Sequence, residues 1–262
     1  MGLASVKFTG LGSMGGELAS EIRHWRNAPH VAARMFSAEA IGEAEHAAFI
    51  EKIRSDPNRQ LYVFHIGGAP KGVLQYELDP RSSRVAMGYY LKDEGDMFSS
   101  YGVFAKFLFI ERAFLVMGAH KVFGETLGSN AKVRALHERF GYALEGVLRQ
   151  HVRARPGAAG AMGCAAGAGG AAGAGDAAGA AWGIGSAVGA GDVAGTAGAS
   201  GAAGAIGGAA GADAAEGAGA FEDVCQYGLL RSEWLSGQSR EDIGAAVRAF
   251  IAPYRLEDVF VD

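Results

Sequence analysis

The chain has 262 residues, of which 42 are glycine, well above the usual share of roughly 7%; most of the excess lies in one tract, and the remainder is the size of one domain able to bury a core. A net charge of −4 and a pI of about 6.0 exclude a protein whose main business is nucleic acid or an anionic membrane surface. Cys164 and Cys225 form neither a metal-ligand spacing nor a disulfide framework, no signal peptide is visible, and no stretch has the apolar density of a spanning helix; a soluble, cytoplasmic protein is expected.

In chain order, residues 6–9 alternate as a first strand and lead into Gly10-Leu11-Gly12-Ser13-Met14-Gly15, followed by a helical pattern over 17–25. This G-x-G-x-x-G run is the first half of a dinucleotide-binding signature. The second half, a strand within 28–37 ending in an acidic residue, is missing, which favours a plain turn and helix start. His24-Trp25-Arg26-Asn27 closes that helix, and Arg26 and Asn27 read there either as a solvated cap or as ligand-binding groups. The next helix carries Glu43, Glu45, His46 and Phe49 and is stopped by Pro57. Residues 61–66 and 71–78 form a hairpin about Gly67-Gly68, closed by Asp79-Pro80, and 85–91 is a further strand. The segment 92–101 leads into an amphipathic helix over 102–117, with Phe104, Phe107, Leu108, Phe114 and Leu115 at i, i+3, i+4 spacing.

Residues 119–146 are the most informative part of the chain. A short apolar strand over 122–127 runs into Gly128-Ser129-Asn130, which is turn and cap chemistry, and a helix over 131–140 carries Val133, Leu136 and Phe140 before Gly141 ends it. Strands over 143–153 and 221–230 would make an ordinary hairpin if joined directly. Between them residues 158–220 are almost entirely Gly and Ala, with weak echoes in AGAGDAAGA and VGAGDVAGT. Glycine costs the most backbone entropy to order and alanine buries little area in return, so this tract reads as a disordered insertion in a hairpin loop. A last helix over 240–251 places Ile243, Val247 and Phe250 on one face, for packing or a homodimer contact.

After the strand, Asn130, His137, Phe140, Gly141, Tyr142, Glu145 and Gly146 match N-x(6)-[Y/H]-x-x-[F/L]-G-[F/Y]-x-x-E-G. That pattern resembles the cofactor-binding half of the GNAT acetyltransferases. Trp25-Arg26-Asn27, followed by Glu43-x-x-His46, resembles one branch of them, the N-acetyltransferases acting on UDP-linked 4-amino-4,6-dideoxy sugars in pseudaminic acid biosynthesis, which serves flagellin glycosylation. The resemblance implies a mixed α/β (α+β mixed sheet) acyl-CoA N-acyltransferase fold over 1–155 and the last strand 221–235. A Gly/Ala-rich insertion at 156–220 interrupts it, and a helical tail at 236–262 follows. Alternatives are N-acetylation of a protein N-terminus by a ribosomal-protein-type relative, or a catalytically inactive binding module.

The roles that follow are those the resemblance implies. Acetyl-CoA is the co-substrate, with no metal, nucleic acid or membrane partner, and a UDP-amino sugar is the acceptor. The strand at 85–91 splays from 122–127 so that backbone groups at Tyr89, Tyr90 and Leu91 meet the pantetheine arm and the thioester oxygen. Gly102 is the one retained residue of the phosphate loop: Ser99 and Phe104 replace its usual Arg or Gln and small residue, and Phe104 is expected to crowd the phosphates. Asn130 caps its helix and reaches the cofactor. His137 is the candidate general acid and Glu125 the group that orients or deprotonates the amine. Trp25, Arg26, Asn27 and His46 form the acceptor side.

Overall fold

The computed structural model describes residues 4–37, 39–153, 221–256 and 259–262. Strand β1 (Ala4–Gly10) is followed by α1 (Gly16–Asn27), the single turn α2 (Pro29–Ala32), α3 (Glu43–Ser55) and the hairpin β2 (Arg59–Ile66) and β3 (Ala69–Asp79). Then come β4 (Arg84–Leu91), α4 (Tyr101–Glu111), β5 (Lys121–Leu127), α5 (Ala131–Arg139), β6 (Ala143–Arg153) and β7 (Phe221–Leu230). The chain closes with α6 (Arg231–Ser236), α7 (Gln238–Ile251) and two short strands, β8 (Tyr254–Arg255) and β9 (Phe260–Val261).

These strands form one sheet in the order β6-β7-β5-β4-β3-β2-β1-β8, with β9 also on β1. The β4–β5 pair is parallel and so are the pairs of β1 with β8 and β9; the others are antiparallel. The expected mixed α/β sheet is therefore present. The hairpin turn uses Gly67 at φ 65 and Gly68 at φ 81, the left-handed pair that a two-residue connection requires.

Because successive strand residues point to opposite faces, the sheet sorts its apolar side chains into two clusters. Tyr62, Phe64, Leu74, Met87 and Tyr89 pack on one face with Phe104, Phe109 and Phe114. Leu61, Val63, Val73 and Tyr90 pack on the other with Ile22, Ile50 and Ile53. Thus α4 covers the first face and α1 and α3 the second. Both sides of β2 are buried in consequence, as helices on both faces of a sheet demand.

Several expectations change in the structure. The helix over 102–117 is α-helical only to Glu111 and continues as a wider turn over Arg112–Val116; this wider turn carries Ala113 and Phe114 inward and leaves Leu115 and Val116 exposed. The glycine run at 10–15 serves the C-terminus. A Cβ on Gly10 would lie 2.9 Å from the carbonyl oxygen of Val261, and Ser13 Oγ donates to the carbonyl of Asp262. The strands β8 and β9 had no signal of their own in the sequence. Ile243 and Val247 of α7 are buried, and Phe250 packs its ring on Tyr101 and Phe104, so this apolar face is spent on α4. Cys225 is buried in β7.

The insertion at 156–220 lies outside the described residues. The strand ends that flank it pair with each other, Arg153 opposite Phe221. Among the described residues no helix is long and apolar enough to cross a membrane, and no three His, Cys, Asp or Glu side chains converge on a metal position.

Candidate functional site

The parallel pairing of β4 with β5 is short. It runs Arg84–Lys121, Val85–Val122 and Ala86–Phe123. Beyond it β4 keeps its β3 neighbour as far as Leu91, and β5 keeps β7 as far as Leu127. Met87 and Gly124 are thus the first residues past the apex of a V, and residues 87–91 present alternate N–H and C=O groups to its open side. Tyr89, Tyr90 and Leu91 lie on this edge.

At the wide end of the V stands the N-terminus of α4. Gly102 packs closely there: a Cβ would sit 3.1 Å from the Tyr89 ring. The amide of Tyr101 meets Ser99 Oγ at 3.3 Å, and Lys71 Nζ lies 4.8 Å from the Tyr101 ring centroid while paired with Asp96 at 3.0 Å. Phe104 does not crowd this position. It is buried in the core against Phe250, at 5.5 Å between ring centroids, because it lies on the face of α4 turned to the sheet and α7.

Gln226 and Tyr227 of β7 stand opposite Glu125 and Gly124, and alternation sends the two pairs to opposite faces. Glu125 Oε1 accepts from Gln226 Nε2 at 2.7 Å. His137 stacks on Tyr227 at 4.6 Å with 4° between the planes, and meets Tyr142 edge-on at 4.7 Å. The Tyr142 hydroxyl in turn lies 3.9 Å from Met87 Sδ. His137 is therefore bracketed at the apex of the V by neighbours that touch both diverging strands. It is wholly buried, and burial, then the nearby Lys106, holds its imidazole well below the ordinary range. Asn130 caps α5, its side chain accepting from the Val133 amide at 3.4 Å.

On the α1–α3 face, a cavity of about 110 Å³ is lined by Arg26, Glu45, His46, Gly88, Tyr89 and Tyr90 among others. It joins two of the acceptor-side candidates to the open stretch of β4. His46 Nε2 meets the carbonyl of Ala19 at 2.8 Å; a carbonyl only accepts, so Nε2 carries the proton. The Tyr90 hydroxyl donates to the Ile22 carbonyl at 3.4 Å, and burial raises its pKa. Trp25 lies outside the cavity lining, with Lys92 Nζ 5.8 Å from its ring. Asn27 is also elsewhere: its amide exchanges hydrogen bonds of 3.0 and 2.9 Å with the backbone of Ile41, which fixes the loop after α2.

The sequence reading missed Lys106, Tyr142 and Tyr227. Lys106 had a signal, a lone cation in Val103-Phe104-Ala105-Lys106-Phe107-Leu108. Tyr142 stands in the matched motif, and its amide bonds the His137 carbonyl at 3.0 Å across the helix end, but nothing in the sequence gave it a role; Tyr227 had no signal, because only the sheet register brings it to His137.

No family model and no curated protein matches the sequence. Solved structures do. The spermidine N-acetyltransferase from Vibrio cholerae, in complex with CoA and spermine, aligns over 88% of this chain and 98% of its own, at 11% identity and a TM-score of 0.57. A GCN5-related N-acetyltransferase from Brucella melitensis aligns over 88% and 77%, at 16% identity and 0.52. The Campylobacter jejuni N-acetyltransferase PseH covers 54% of this chain and 89% of its own at 16% identity, with a TM-score of 0.43 that carries no weight. At these identities the first two speak for the fold alone: the chain has the GNAT acetyltransferase fold.

Proposed function

We propose that this chain transfers acetyl from acetyl-CoA to an amine, and that the acceptor is the 4-amine of a UDP-linked amino-dideoxy sugar. The observation that carries the reading is the divergence of β4 from β5 after Ala86 and Phe123. It opens a gap in the sheet between a cavity holding Arg26 and His46 on one face and His137 on the other. The residues present fit the co-substrate. The strand edge at 87–91, past the last β4–β5 pair, suits the amides of a pantetheine arm, as an added strand would, and the N-terminus of α4 at Tyr101 and Gly102 suits a pyrophosphate. The Vibrio cholerae protein of the same fold was solved with CoA, which supports the same choice.

When bound, acetyl-CoA supplies an activated acetyl thioester. Glu125 orients the amine and takes its proton, directly or through water. A β4 amide between Tyr89 and Leu91 holds the thioester oxygen as charge develops on it, and His137 gives a proton to the departing sulfur. Positioning supplies most of the remaining gain. Arg26 and His46 suit a diphosphate through charge-assisted hydrogen bonds. A polyamine such as spermidine would meet Arg26 in the same cavity, with Glu45 as the carboxylate in the lining.

Thiol release measured across UDP-amino sugars, peptides and polyamines tests the acceptor. Turnover confined to UDP-amino sugars, with Arg26→Ala raising KM about tenfold or more, is the expected result. Turnover confined to peptides or polyamines would replace the acceptor and keep the reaction. Failure to bind acetyl-CoA in calorimetry would reduce the chain to a binding module.

A further inference from the structure

Lys106 is wholly buried in α4, beneath the apex of the V. Its Nζ lies 3.3 Å from His137 Nδ1, 4.2 Å from the Tyr142 ring centroid and 4.8 Å from that of Phe140. A buried lysine at hydrogen-bond distance from a ring nitrogen is costly to keep for packing alone, because a methionine would fill the same space without the desolvation. Nothing in the acetyl-transfer scheme so far uses it.

We propose that Lys106 acts through His137 as a proton relay, an inference that rests on the acetyl-transfer reading. Lys106 Nζ donates to His137 Nδ1 and so fixes the proton of the neutral imidazole on Nε2. As the thiolate leaves, the Nε2–H bond breaks and an S–H bond forms. In the same event an Nζ–H bond of the ammonium breaks and an Nδ1–H bond forms. Lys106 is left as a neutral amine and His137 stays neutral throughout. The pair resets when water entering the emptied gap between β4 and β5 gives Nε2 a proton and Nδ1 returns its own to Lys106.

The surroundings explain why a relay is needed. Burial and then the Lys106 charge hold the His137 imidazole well below its ordinary range, so the ring reaches the reaction neutral, and a neutral imidazole by itself is a very weak acid. Burial also holds the Lys106 ammonium well below an ordinary lysine, so it gives up a proton more readily than a lysine in water. Among the described residues, Tyr142, which immediately precedes β6, and Tyr227 on β7 are titratable groups that face the pair. Burial, and then Tyr89 on β4, pushes the Tyr142 phenol well up, so it keeps its proton. Lys106 is in these terms a positioning residue and proton source, and His137 is the group assigned to protonate the sulfur.

Nitrogen NMR of the imidazoles, with the His137 signal assigned from its loss in His137→Gln, reads the relay without any turnover. Wild type at neutral pH should show the Nε2–H tautomer at His137, and Lys106→Met should lose that preference. In steady-state assays Lys106→Met should lower kcat by about 10²-fold or more with acetyl-CoA affinity unchanged, and should remove the alkaline limb of the kcat–pH profile that Lys106 sets. Lys106→Arg, which keeps a charge but does not release its proton, should keep the tautomer and lose turnover. An Nδ1–H tautomer in wild type overturns the relay whatever the activity. So does Lys106→Met turnover within about threefold of wild type with an unchanged pH profile. The expected tautomer in a wild-type protein that acetylates no amine would instead sink the proposed reaction, and the relay's catalytic role with it.

Discussion

Glu125 and His137 stand on opposite faces of one sheet, tied to adjacent residues of the same strand. Glu125 takes a hydrogen bond of 2.7 Å from Gln226, and His137 lies parallel on Tyr227 at 4.6 Å. The two candidates for proton transfer can therefore address one reacting centre only through the gap between β4 and β5. That division suits a reaction in which one proton leaves an amine on the cavity side and another reaches a sulfur on the helix side.

Glu125→Gln keeps shape and a hydrogen-bonding partner for Gln226 while removing the base. We expect kcat to fall by about 10²-fold or more while acetyl-CoA affinity in calorimetry stays unchanged. Gln226→Leu should cost less, since it frees the carboxylate without removing it. Equal turnover for wild type and Glu125→Gln across pH would take Glu125 out of the mechanism.

His137 also makes a prediction about stability. Its folded pKa is held well below the ordinary 6.5, so below about pH 6.5 the unfolded chain binds a proton that the folded chain does not. Stability should fall as pH drops from there, by up to roughly 1.4 kcal/mol per pH unit for this one group. His137→Phe preserves a ring on Tyr227 and removes the titration, so its Tm should drop less than wild type between pH 6.5 and 5. The same variant should lose turnover, and His137→Tyr should recover part of it. Parallel Tm losses in wild type and His137→Phe would show that the buried ring is not what titrates.

Phe104 belongs to the core, packed against Phe250 and buried to 1% exposure. Phe104→Ala should destabilise by about 3–5 kcal/mol, read as a lower midpoint in urea. Its effect on acetyl-CoA affinity, measured where the variant is fully folded, should be small. Tighter binding on truncation would mean that the ring does obstruct the phosphates.

Replacing residues 158–220 with a short turn should leave fold and turnover nearly unchanged, because Arg153 and Phe221 already pair across the gap. Loop-closure entropy rises by only about 0.6 kcal/mol per doubling of length, so a slight gain in Tm is expected. Loss of activity in a folded deletion variant would assign the segment a part in the site.

Much of this protein was determined by local sequence. The strand, cap and helix of 121–139, the left-handed glycines at 67, 68 and 141, and the proline that stops α3 act through neighbours in the chain. A period of two or 3.6 and a residue tolerant of positive φ are enough to read them. The resemblance carried by Asn130, His137 and Gly141 likewise spans one contiguous stretch. What only the tertiary structure decided depends on register between distant segments. Pairing β5 with β7 put Tyr227 under His137 and Gln226 beside Glu125; packing α4 on the sheet and on α7 turned Phe104 inward and put Lys106 beside His137; and the return of the C-terminal strands to β1 gave the glycine run at 10–15 its use. A one-residue slip in any of these pairings would exchange the faces of the sheet, and no periodicity within a single segment specifies the alignment with its partner.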